Sequence, residues 1–156
     1  MATANATWPA ISLPPGAAEL IDLFFSLTEL KIPDAGRQLP DEVFIPSGQF
    51  AAPHGTSTGS EEIAKRREHA WDAIDARQHE ISKVYASDAD GTDLMMLGSL
   101  TATKKNGTVT NTKLARQSYF GKRQSRETEI QAVSSSGMGE IETLGTSLYL
   151  HPVLHW

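Results

Sequence analysis

One histidine and one arginine, each within a segment of strand-like sequence, are the side chains best suited to chemistry. Imidazole has an ordinary pKa near ~6.5, so His79 could give or take a proton at neutral pH. A buried guanidinium at Arg116 could hold a carbonyl or enolate oxygen while negative charge develops on it. Each residue also has a plainer interpretation. His79 could be a sheet-edge histidine bonded to a backbone carbonyl, and Arg116 a surface arginine paired with Glu140 or Glu142.

Other polar side chains on the strand-like segments could assist these two. Tyr85 follows His79 by six residues, which predicts that both lie on one strand face, where Tyr85 could bond to a substrate or simply pack. Asp93 begins a strand and could act as a general base, although we favour a solvated turn residue. Alternation puts Arg116 and Tyr119 on opposite faces unless a bulge intervenes, and we favour Arg116 as the inward one. The candidate catalytic residues are His79, Arg116, Tyr85 and Asp93.

A second group of side chains could form the wall or mouth of a binding pocket. For each apolar member taken singly, a place in the core is the more common role. The histidine of this group lies in a loop rich in Pro, Gly, Ser and Thr, where it could stand at the pocket mouth or simply be exposed. The candidates for substrate binding are Phe24, Phe50, His54, Trp71, Met95 and Tyr119.

Two helices are predicted ahead of the long strands. The first covers residues 16–30, because Pro33 disfavours helical geometry just before it. The second follows a capping box of Thr58 and Glu61 and runs to about residue 74. Its predicted inward stripe consists of Ile63, Arg67, Ala70, Trp71 and Ile74.

Strands account for most of the remaining sequence. Two short strands are predicted at 42–45 and 48–51, with a loop over 51–59. Three long strands follow over 77–120, joined by turns at Asp90-Gly91 and Asn106-Gly107. The second turn predicts a tight type I′ hairpin, which needs positive φ at both central residues. A glycine in the middle of a strand, Gly98, predicts a bulge or a sharp bend.

The order of helices first and antiparallel strands after predicts an α+β fold, with a strongly bent sheet wrapped over the helices around a conical cavity. Residues 1–15 contain three prolines and form an extended arm that Trp8 and Ile11 could pin down. Residues 16–156 form a single domain. Within it, we expect a mobile loop over 121–139, with a short strand at 130–133, and a last strand at 141–151.

Composition excludes several classes of protein. The chain has 156 residues, no cysteine and a net charge of -5, so thiolate chemistry is excluded and nucleic-acid binding is disfavoured. No apolar run is long enough for a membrane span, and no leader is visible, so a cytoplasmic protein without membrane contact is expected. His151 and His155 have a metal-binding spacing, but Pro152 breaks the helix that would align them, so no metal is expected.

Four short segments follow one another along the chain: Gly59-Ser-Glu-Glu-Ile63, Gln78-His79-Glu-Ile, Leu97-Gly98-Ser-Leu and Lys105-Asn-Gly. Taken in this order, they resemble the SnoaL-like branch of the nuclear transport factor 2-like superfamily over roughly residues 16–151. The resemblance implies a cone-shaped apolar pocket, a few acid-base residues, no cofactor, one hydrophobic substrate and a homodimer. Members include polyketide cyclases, ketosteroid isomerase, limonene epoxide hydrolase, scytalone dehydratase, and isomerases of fungal natural-product pathways.

Scytalone dehydratase offers the nearest parallel at the level of residues. The pair Gln78-His79 resembles the pair that carries a catalytic histidine there, and a later-strand asparagine of that enzyme falls near Arg116. The differences are in the other catalytic positions. A Tyr-Asp pair after the first helix is replaced by Glu29-Leu30-Lys31, a second histidine falls near Thr103, and a tyrosine falls near Pro46-Ser47. Scytalone itself is therefore not the expected substrate.

The sequence thus predicts a cofactor-independent isomerase or cyclase acting on a hydrophobic secondary-metabolite intermediate. His79 would act as the general acid or base, Arg116 would hold an oxyanion, and Tyr85 or Asp93 would orient the substrate. A dehydratase with the same type of pocket is one alternative. A non-catalytic small-molecule-binding protein and a dimerisation module that uses the open sheet face are the others.

Overall fold

A curved antiparallel sheet of the last five strands, hydrogen-bonded in chain order, wraps over N-terminal helices, and the first two strands form a separate hairpin. The computed structural model describes residues 1–52, 55–120, 130–135 and 147–148, the last two ranges by their backbone. The predicted α+β class is confirmed. The elements are α1 (Ala17–Glu29), α2 (Ala35–Val43), β1 (Gln49–Ala52), β2 (Gly55–Thr58), α3 (Gly59–Glu68), β3 (Ile74–Ala86), β4 (Asp93–Lys104), β5 (Val109–Tyr119), β6 (Ile130–Ser135) and β7 (Ser147–Leu148).

The first helix, α1, supplies one side of the core. Gly16 precedes it with φ 78, and Leu30 ends it in an extended conformation, close to the predicted bounds. The apolar side chains of α1 recur at helical spacing and pack against the concave face of the sheet. Buried members of this core include Leu20, Ile21, Phe24, Phe25 and Leu27 from α1, and Ile81, Val84, Leu94 and Met96 from the sheet.

The second helix, α2, occupies a region where the sequence predicted no helix. Its buried residues Ala35, Leu39 and Val43 recur every fourth position, which is a helical period. Pro40 lies inside the helix and obscures this period, because proline is disfavoured in helix interiors. The strand predicted at 42–45 is therefore wrong, since that segment is the end of α2 and the bend after it.

The hairpin of β1 and β2 lies beside α3 and beside strands β6 and β7. β1 confirms the short strand predicted at 48–51, while β2 lies within the predicted loop at 51–59. Phe50 faces Ser57 across the hairpin, and both are buried. The hairpin therefore turns an aromatic ring toward the core.

The third helix, α3, is shorter than predicted. It ends at Glu68, and β3 begins at Ile74, so Trp71 lies in the connection between them. The prediction that Ala70, Trp71 and Ile74 belong to the inward stripe of this helix is therefore wrong. Thr58 precedes the helix as expected, but its backbone N–H donates to the carboxylate of Glu62 at 2.7 Å, one residue beyond the predicted capping box.

A β-bulge interrupts β3 where it crosses the middle of β4. Ile81 faces Gly98, and Lys83 faces the next residue of β4, so Ser82 is the extra residue. Gly98 permits the close approach of the strands, because a Cβ atom there would lie 2.2 Å from the backbone oxygen of Glu80. The predicted irregularity at Gly98 is confirmed, with the extra residue on the facing strand. Side chains of β3 beyond Ser82 consequently change faces relative to those before it.

The β4–β5 hairpin is present, but its connection differs from the prediction. The Lys104 N–H bonds to the Thr108 oxygen, and the Gly107 N–H bonds to the Lys104 oxygen, which leaves a three-residue loop. Gly107 has φ 82 and follows the central residues Lys105 and Asn106. This is the arrangement of a hairpin with three connecting residues, so the predicted two-residue type I′ turn is wrong.

The N-terminal residues run along the free edge of β3. A parallel bridge joins Thr7 to this strand. Asp22 of α1 is buried and accepts the Thr3 backbone N–H at 3.0 Å and the Thr3 hydroxyl at 2.6 Å. Trp8 packs against the core, whereas Ile11 is exposed. The arm is thus attached by its first residues and, as predicted, by Trp8, whereas the prediction for Ile11 is wrong.

Much of the predicted C-terminal architecture lies outside the described residues. β6 confirms the short strand predicted at 130–133. The remainder of the predicted mobile loop, 121–129 and 136–139, lies outside the described residues, as does the strand predicted at 141–151 apart from β7. Among the helices that the structure describes, none combines the length and apolar character needed to cross a membrane.

Candidate acid-base site on the inner face of the sheet

The inner face of the sheet, meaning the face packed against α1, carries both His79 and Arg116. Arg116 of β5 stands beside Met96 of β4, which in turn stands beside Val84 of β3, and these two neighbours are buried in the core. His79 precedes the buried Ile81 by two residues on the same strand. Because side chains alternate along a strand, the structure places the two polar candidates on one face.

His79 is held by the last residue of α1. The Glu29 carboxylate lies 2.9 Å from Nδ1 of His79. The same carboxylate accepts the backbone N–H of His79, and the imidazole packs against Phe25 with ring centroids 4.9 Å apart. A carboxylate only accepts hydrogen bonds, so Nδ1 carries the proton and Nε2 of the neutral ring keeps its lone pair. The pair therefore orients one ring nitrogen and leaves the other available as a base.

Burial and neighbouring charges set the protonation of this pair. Burial lowers the pKa of His79 below its ordinary 6.5, the hydrogen bond to Glu29 opposes that shift, and the charge of Arg116 adds to it. For Glu29, burial alone raises the pKa, but the hydrogen bonds from His79 outweigh it, and the pKa is lowered. At neutral pH the pair is therefore a neutral imidazole beside an ionised carboxylate.

Three phenylalanine rings surround the guanidinium of Arg116. Its Cζ atom lies 4.6 Å from the ring centroid of Phe24, 5.5 Å from that of Phe50 and 5.9 Å from that of Phe25. Nη1 is buried and has no hydrogen-bond acceptor within the part of the chain that the structure describes. Burial lowers the pKa of Arg116 to about 10, with a contribution from two nearby arginines. The side chain therefore remains a cation at neutral pH.

Two further arginines bind the C-terminal end of α1. Arg67 is buried on α3 and donates to three backbone carbonyls of that end at 3.0, 3.1 and 3.3 Å. Arg77 of β3 donates from Nε to the Thr28 oxygen at 2.7 Å, and its guanidinium lies 4.4 Å from the ring of Trp71. Cations at a helix C-terminus satisfy its free carbonyls and offset the helix dipole. These bonds fix the end of α1 and so the position of Glu29.

A small cavity lies between α1 and the inner face of the sheet. Its volume is about 20 Å³, which is room for about one water molecule. Neither His79 nor Arg116 lines it, although Phe24 and Phe25 border both the cavity and the Arg116 guanidinium. A substrate of natural-product size would have to displace side chains to enter here. The remaining wall residues are Leu20, Ile21, Val43, Met96, Ser118, Tyr119 and Phe120.

The bulge at Ser82 places Tyr85 on the outer face, so its predicted position beside His79 is wrong. Tyr85 faces Met95 across the strands and is 42% exposed, with Lys83 Nζ 4.6 Å from its ring. Met95 shares this outer face, which contradicts its predicted place in the pocket wall. One extra residue reverses the alternation that the sequence analysis assumed.

Asp93 and Tyr119 also lie on the outer face, opposite each other on β4 and β5. Gln117 Nε2 connects them, at 2.7 Å from the Asp93 carboxylate and 2.9 Å from the Tyr119 hydroxyl. Asp93 thus belongs to a hydrogen-bond network on the outer face, which the structure does not bring together with His79. Tyr119 borders the small cavity, and its hydroxyl accepts the side-chain N–H of Gln117.

The remaining predicted pocket residues fall into three groups. Phe24 and Phe50 lie against Arg116, as a pocket wall would. Trp71 lies at the edge of the site and contacts Arg77. His54 lies outside the described residues, as do the glutamates considered as alternative partners of Arg116.

Sequence reasoning missed Glu29, Arg77 and Phe25. The alternation of side chains along a strand could have predicted Arg77, because it precedes His79 by two residues and so shares its face of the sheet. Glu29 carried none, because the contact with His79 joins residues 50 positions apart. Phe25 faces the core beside Phe24, which a single helical stripe does not predict.

Comparison with solved structures identifies the fold. A protein of unknown function with the nuclear transport factor 2-like fold, from Exiguobacterium sp. 255-15, gives a TM-score of 0.55 at 13% identity, covering 86% of this chain and 96% of that one. A Catenulispora acidiphila protein with a ketosteroid isomerase-like fold, in complex with trimethylamine, gives 0.56 at 18% identity over 83% and 91%. A Novosphingobium aromaticivorans protein provisionally assigned as a scytalone dehydratase gives 0.51 at 10% identity over 86% and 78%.

These likenesses show that the chain has the nuclear transport factor 2-like fold, the cone-shaped α+β barrel predicted from the sequence. No protein-family model and no curated protein sequence matches the chain significantly. The fold is shared with ketosteroid isomerase-like and scytalone dehydratase-like proteins. Activity has to be argued from the site, because one fold hosts many functions.

Proposed function

We propose that this protein is a cofactor-independent acid-base enzyme, an isomerase or cyclase, acting on a hydrophobic secondary-metabolite intermediate. The observation that carries the proposal is the His79–Glu29 pair on the inner face, with 2.9 Å between Nδ1 and the carboxylate oxygen. The resemblance to natural-product enzymes suggests the origin of the substrate. The homodimeric state and the cytoplasmic location stay predictions of the sequence.

In this mechanism Nε2 of His79 removes a proton from carbon next to a carbonyl group. Glu29 keeps Nδ1 protonated and stabilises the imidazolium that forms, as the acidic member of a catalytic triad does. The negative charge that develops on the substrate oxygen is stabilised by the cationic guanidinium of Arg116. Return of the proton from Nε2 to a different carbon completes an isomerisation, and its delivery to a leaving hydroxyl would give a dehydration instead.

Proton exchange tests the proposal without knowledge of the natural substrate. Hydrophobic ketones such as β-tetralone are incubated with the protein in deuterium oxide, and loss of the α-proton signal is followed by NMR. We expect the wild type to accelerate exchange and His79→Gln to lower the rate by about 10²–10⁴-fold, the usual contribution of a general base. Equal rates for the wild type and His79→Gln would contradict the proposal.

The chain provides a matched control for this experiment. His69 also lies 2.9 Å from a carboxylate, that of Asp72, but both side chains are exposed. His69→Gln should therefore leave the exchange rate unchanged. Tyr85→Phe should do the same, because that hydroxyl lies on the outer face.

A non-catalytic binding protein is the second candidate, and one observation favours it. The wall of the neighbouring cavity consists mostly of apolar side chains and contains neither His79 nor Arg116. If the chain is a binding protein, we expect saturable binding of hydrophobic ligands. The wild type should then exchange the ketone α-protons no faster than His79→Gln does. The exchange experiment therefore separates the two candidates.

A further inference from the structure

The guanidinium of Arg116 is a buried cation without a protein anion among the described residues. Its Nη1 atom has no acceptor there, and its described contacts are the faces of three phenylalanine rings. Ring faces attract a cation but do not accept the in-plane N–H bonds that a guanidinium offers. The side chain thus keeps part of its donor capacity unused.

The neighbouring arginines have different environments. Arg66 donates to the Gly55 oxygen at 2.6 Å, and Arg67 donates to three carbonyls at the end of α1. Arg77 uses Nε on the same helix end but leaves Nη2 buried and unpaired within the described chain. Arg67 Nε is also unpaired, although both of its other nitrogens are bonded. Arg116 is therefore the arginine whose position the backbone bonds do not explain.

Among the residues that the structure describes, the charges of this region sum to a positive value. Arg66 and Arg77 lie close enough to Arg116 to lower its pKa, and Arg67 acts likewise on Arg77. The carboxylate of this region, Glu29, is already bonded to His79. A buried charge without a partner is costly, and cation–π contacts return only part of that cost. A ligand that brings a negative charge would remove the imbalance.

We propose that the inner face binds a ligand in which a carboxylate is attached to a hydrophobic body, with the carboxylate on Arg116. A planar guanidinium matches a carboxylate through two parallel N–H bonds. The rings of Phe24 and Phe50 would hold the hydrophobic body. The inference deepens the proposed function by naming its substrate class, and it rests on that function only in taking the ligand to be the substrate. A carboxylate takes two of the five N–H groups of Arg116, so the others remain for the oxyanion of the proposed mechanism.

Binding of two isosteric probes tests the inference. Naphthoate carries the carboxylate, and naphthamide has the same shape without the charge; each is titrated into the full chain by calorimetry at pH 7. We expect the wild type to bind naphthoate at least about tenfold more tightly, which corresponds to ~1.4 kcal/mol. Arg116→Met should abolish this preference, and Lys65→Met, which removes an exposed cation of α3, should retain it. Equal affinity of the wild type for both probes would overturn the inference.

The thermal stability of Arg116→Met tests whether Arg116 has a purely structural role. If Arg116 exists for a ligand, replacing its buried charge with an apolar side chain should leave the Tm of the free protein unchanged or raise it. The contrary result is a lower Tm together with an undiminished preference of the folded variant for naphthoate. It would show that Arg116 only holds the phenylalanine rings in place, and it would overturn the inference.

The two proposals fail in different ways. A wild type that prefers naphthoate but shows no exchange of ketone protons supports the anion site and contradicts the enzyme. Proton exchange that depends on His79, without any preference for naphthoate, supports the enzyme and contradicts the anion site. The binding experiment thus judges the ligand class independently of turnover.

Discussion

His79 and His69 each lie 2.9 Å from a carboxylate, and the comparison shows what burial adds to the same pair of groups. The side chains of His79 and Glu29 are 11% and 27% exposed, against 79% and 68% for His69 and Asp72. An exposed pair is screened by water and contributes little to stability or orientation. The buried pair holds one tautomer and makes the protonation state of His79 depend on its surroundings.

This burial predicts that the folded protein loses stability on mild acidification. The pKa of His79 is lowered on folding, so the unfolded chain takes up this proton at higher pH than the folded one. The contribution of neutral His79 is therefore complete above pH ~6.5 and is lost as the pH falls toward the folded pKa. Urea unfolding at pH 7.5, 6.5 and 5.5 measures it, with a loss of at most ~1.4 kcal/mol per pH unit from one proton.

Two variants separate His79 from the other titrating groups. His79→Gln should flatten this part of the pH dependence, whereas His69→Gln should preserve it. Glu29 acts in the same direction but at lower pH, because its pKa is lowered from 4.5 and its contribution is lost only as the pH falls below that value. A wild-type stability that rises between pH 6.5 and 5.5 would show that the assigned direction is wrong.

At the scale of single residues, the sequence shows which side chains are suited to acid-base chemistry better than it shows where those side chains lie. His79 and Arg116 were selected for what their groups can do, and the fold brings both to the inner face. Tyr85 was placed beside His79 by counting alternate residues, and Ser82 breaks that count. The contact with Glu29 depends on where α1 ends relative to β3, which no local pattern encodes.

At the scale of elements, the C-terminus of α1 is the point where helix, sheet and site meet. Arg67 reaches it from α3 and Arg77 from β3, and the last helical residue, Glu29, holds the imidazole. Errors in the predicted elements cluster around this connection. Pro40 obscured α2, and α3 stops before Trp71, so the sequence did not predict which elements surround the end of α1.

Removing the Arg67 side chain should therefore destabilise the whole domain. Arg67→Met removes a donor from three carbonyls at the end of α1, of which that of Thr28 keeps its bond from Arg77. We expect the free energy of unfolding to fall by about 2–4 kcal/mol. Lys65→Met removes a charge from the exposed side of α3, the helix that carries Arg67. It should change the free energy of unfolding by no more than about 0.5 kcal/mol. Urea denaturation measures both, and equal stabilities for the two variants would refute the role assigned to Arg67.

At the scale of the whole molecule, the two faces of the sheet have different neighbours. The inner face is covered by α1, while the outer face carries apolar side chains over which no helix of the described residues lies. Tyr85 is 42% and Leu97 37% exposed, and Met95 lies between them on the same face. Soluble proteins rarely leave a continuous apolar patch open unless something binds there.

The homodimer predicted from the sequence would place this outer face at a two-fold axis, where each patch meets its own copy. Leu97→Lys would bring two like charges into that contact, so the dimer should dissociate at protein concentrations where the wild type is still paired. Ile32→Lys is the matched control, because Ile32 is 49% exposed but lies in the loop after α1, away from the sheet. Sedimentation velocity over a concentration series measures the outcome. A wild type that stays monomeric throughout, or a Leu97→Lys variant as dimeric as Ile32→Lys, would exclude this face as the interface, and the apolar patch would then need another partner.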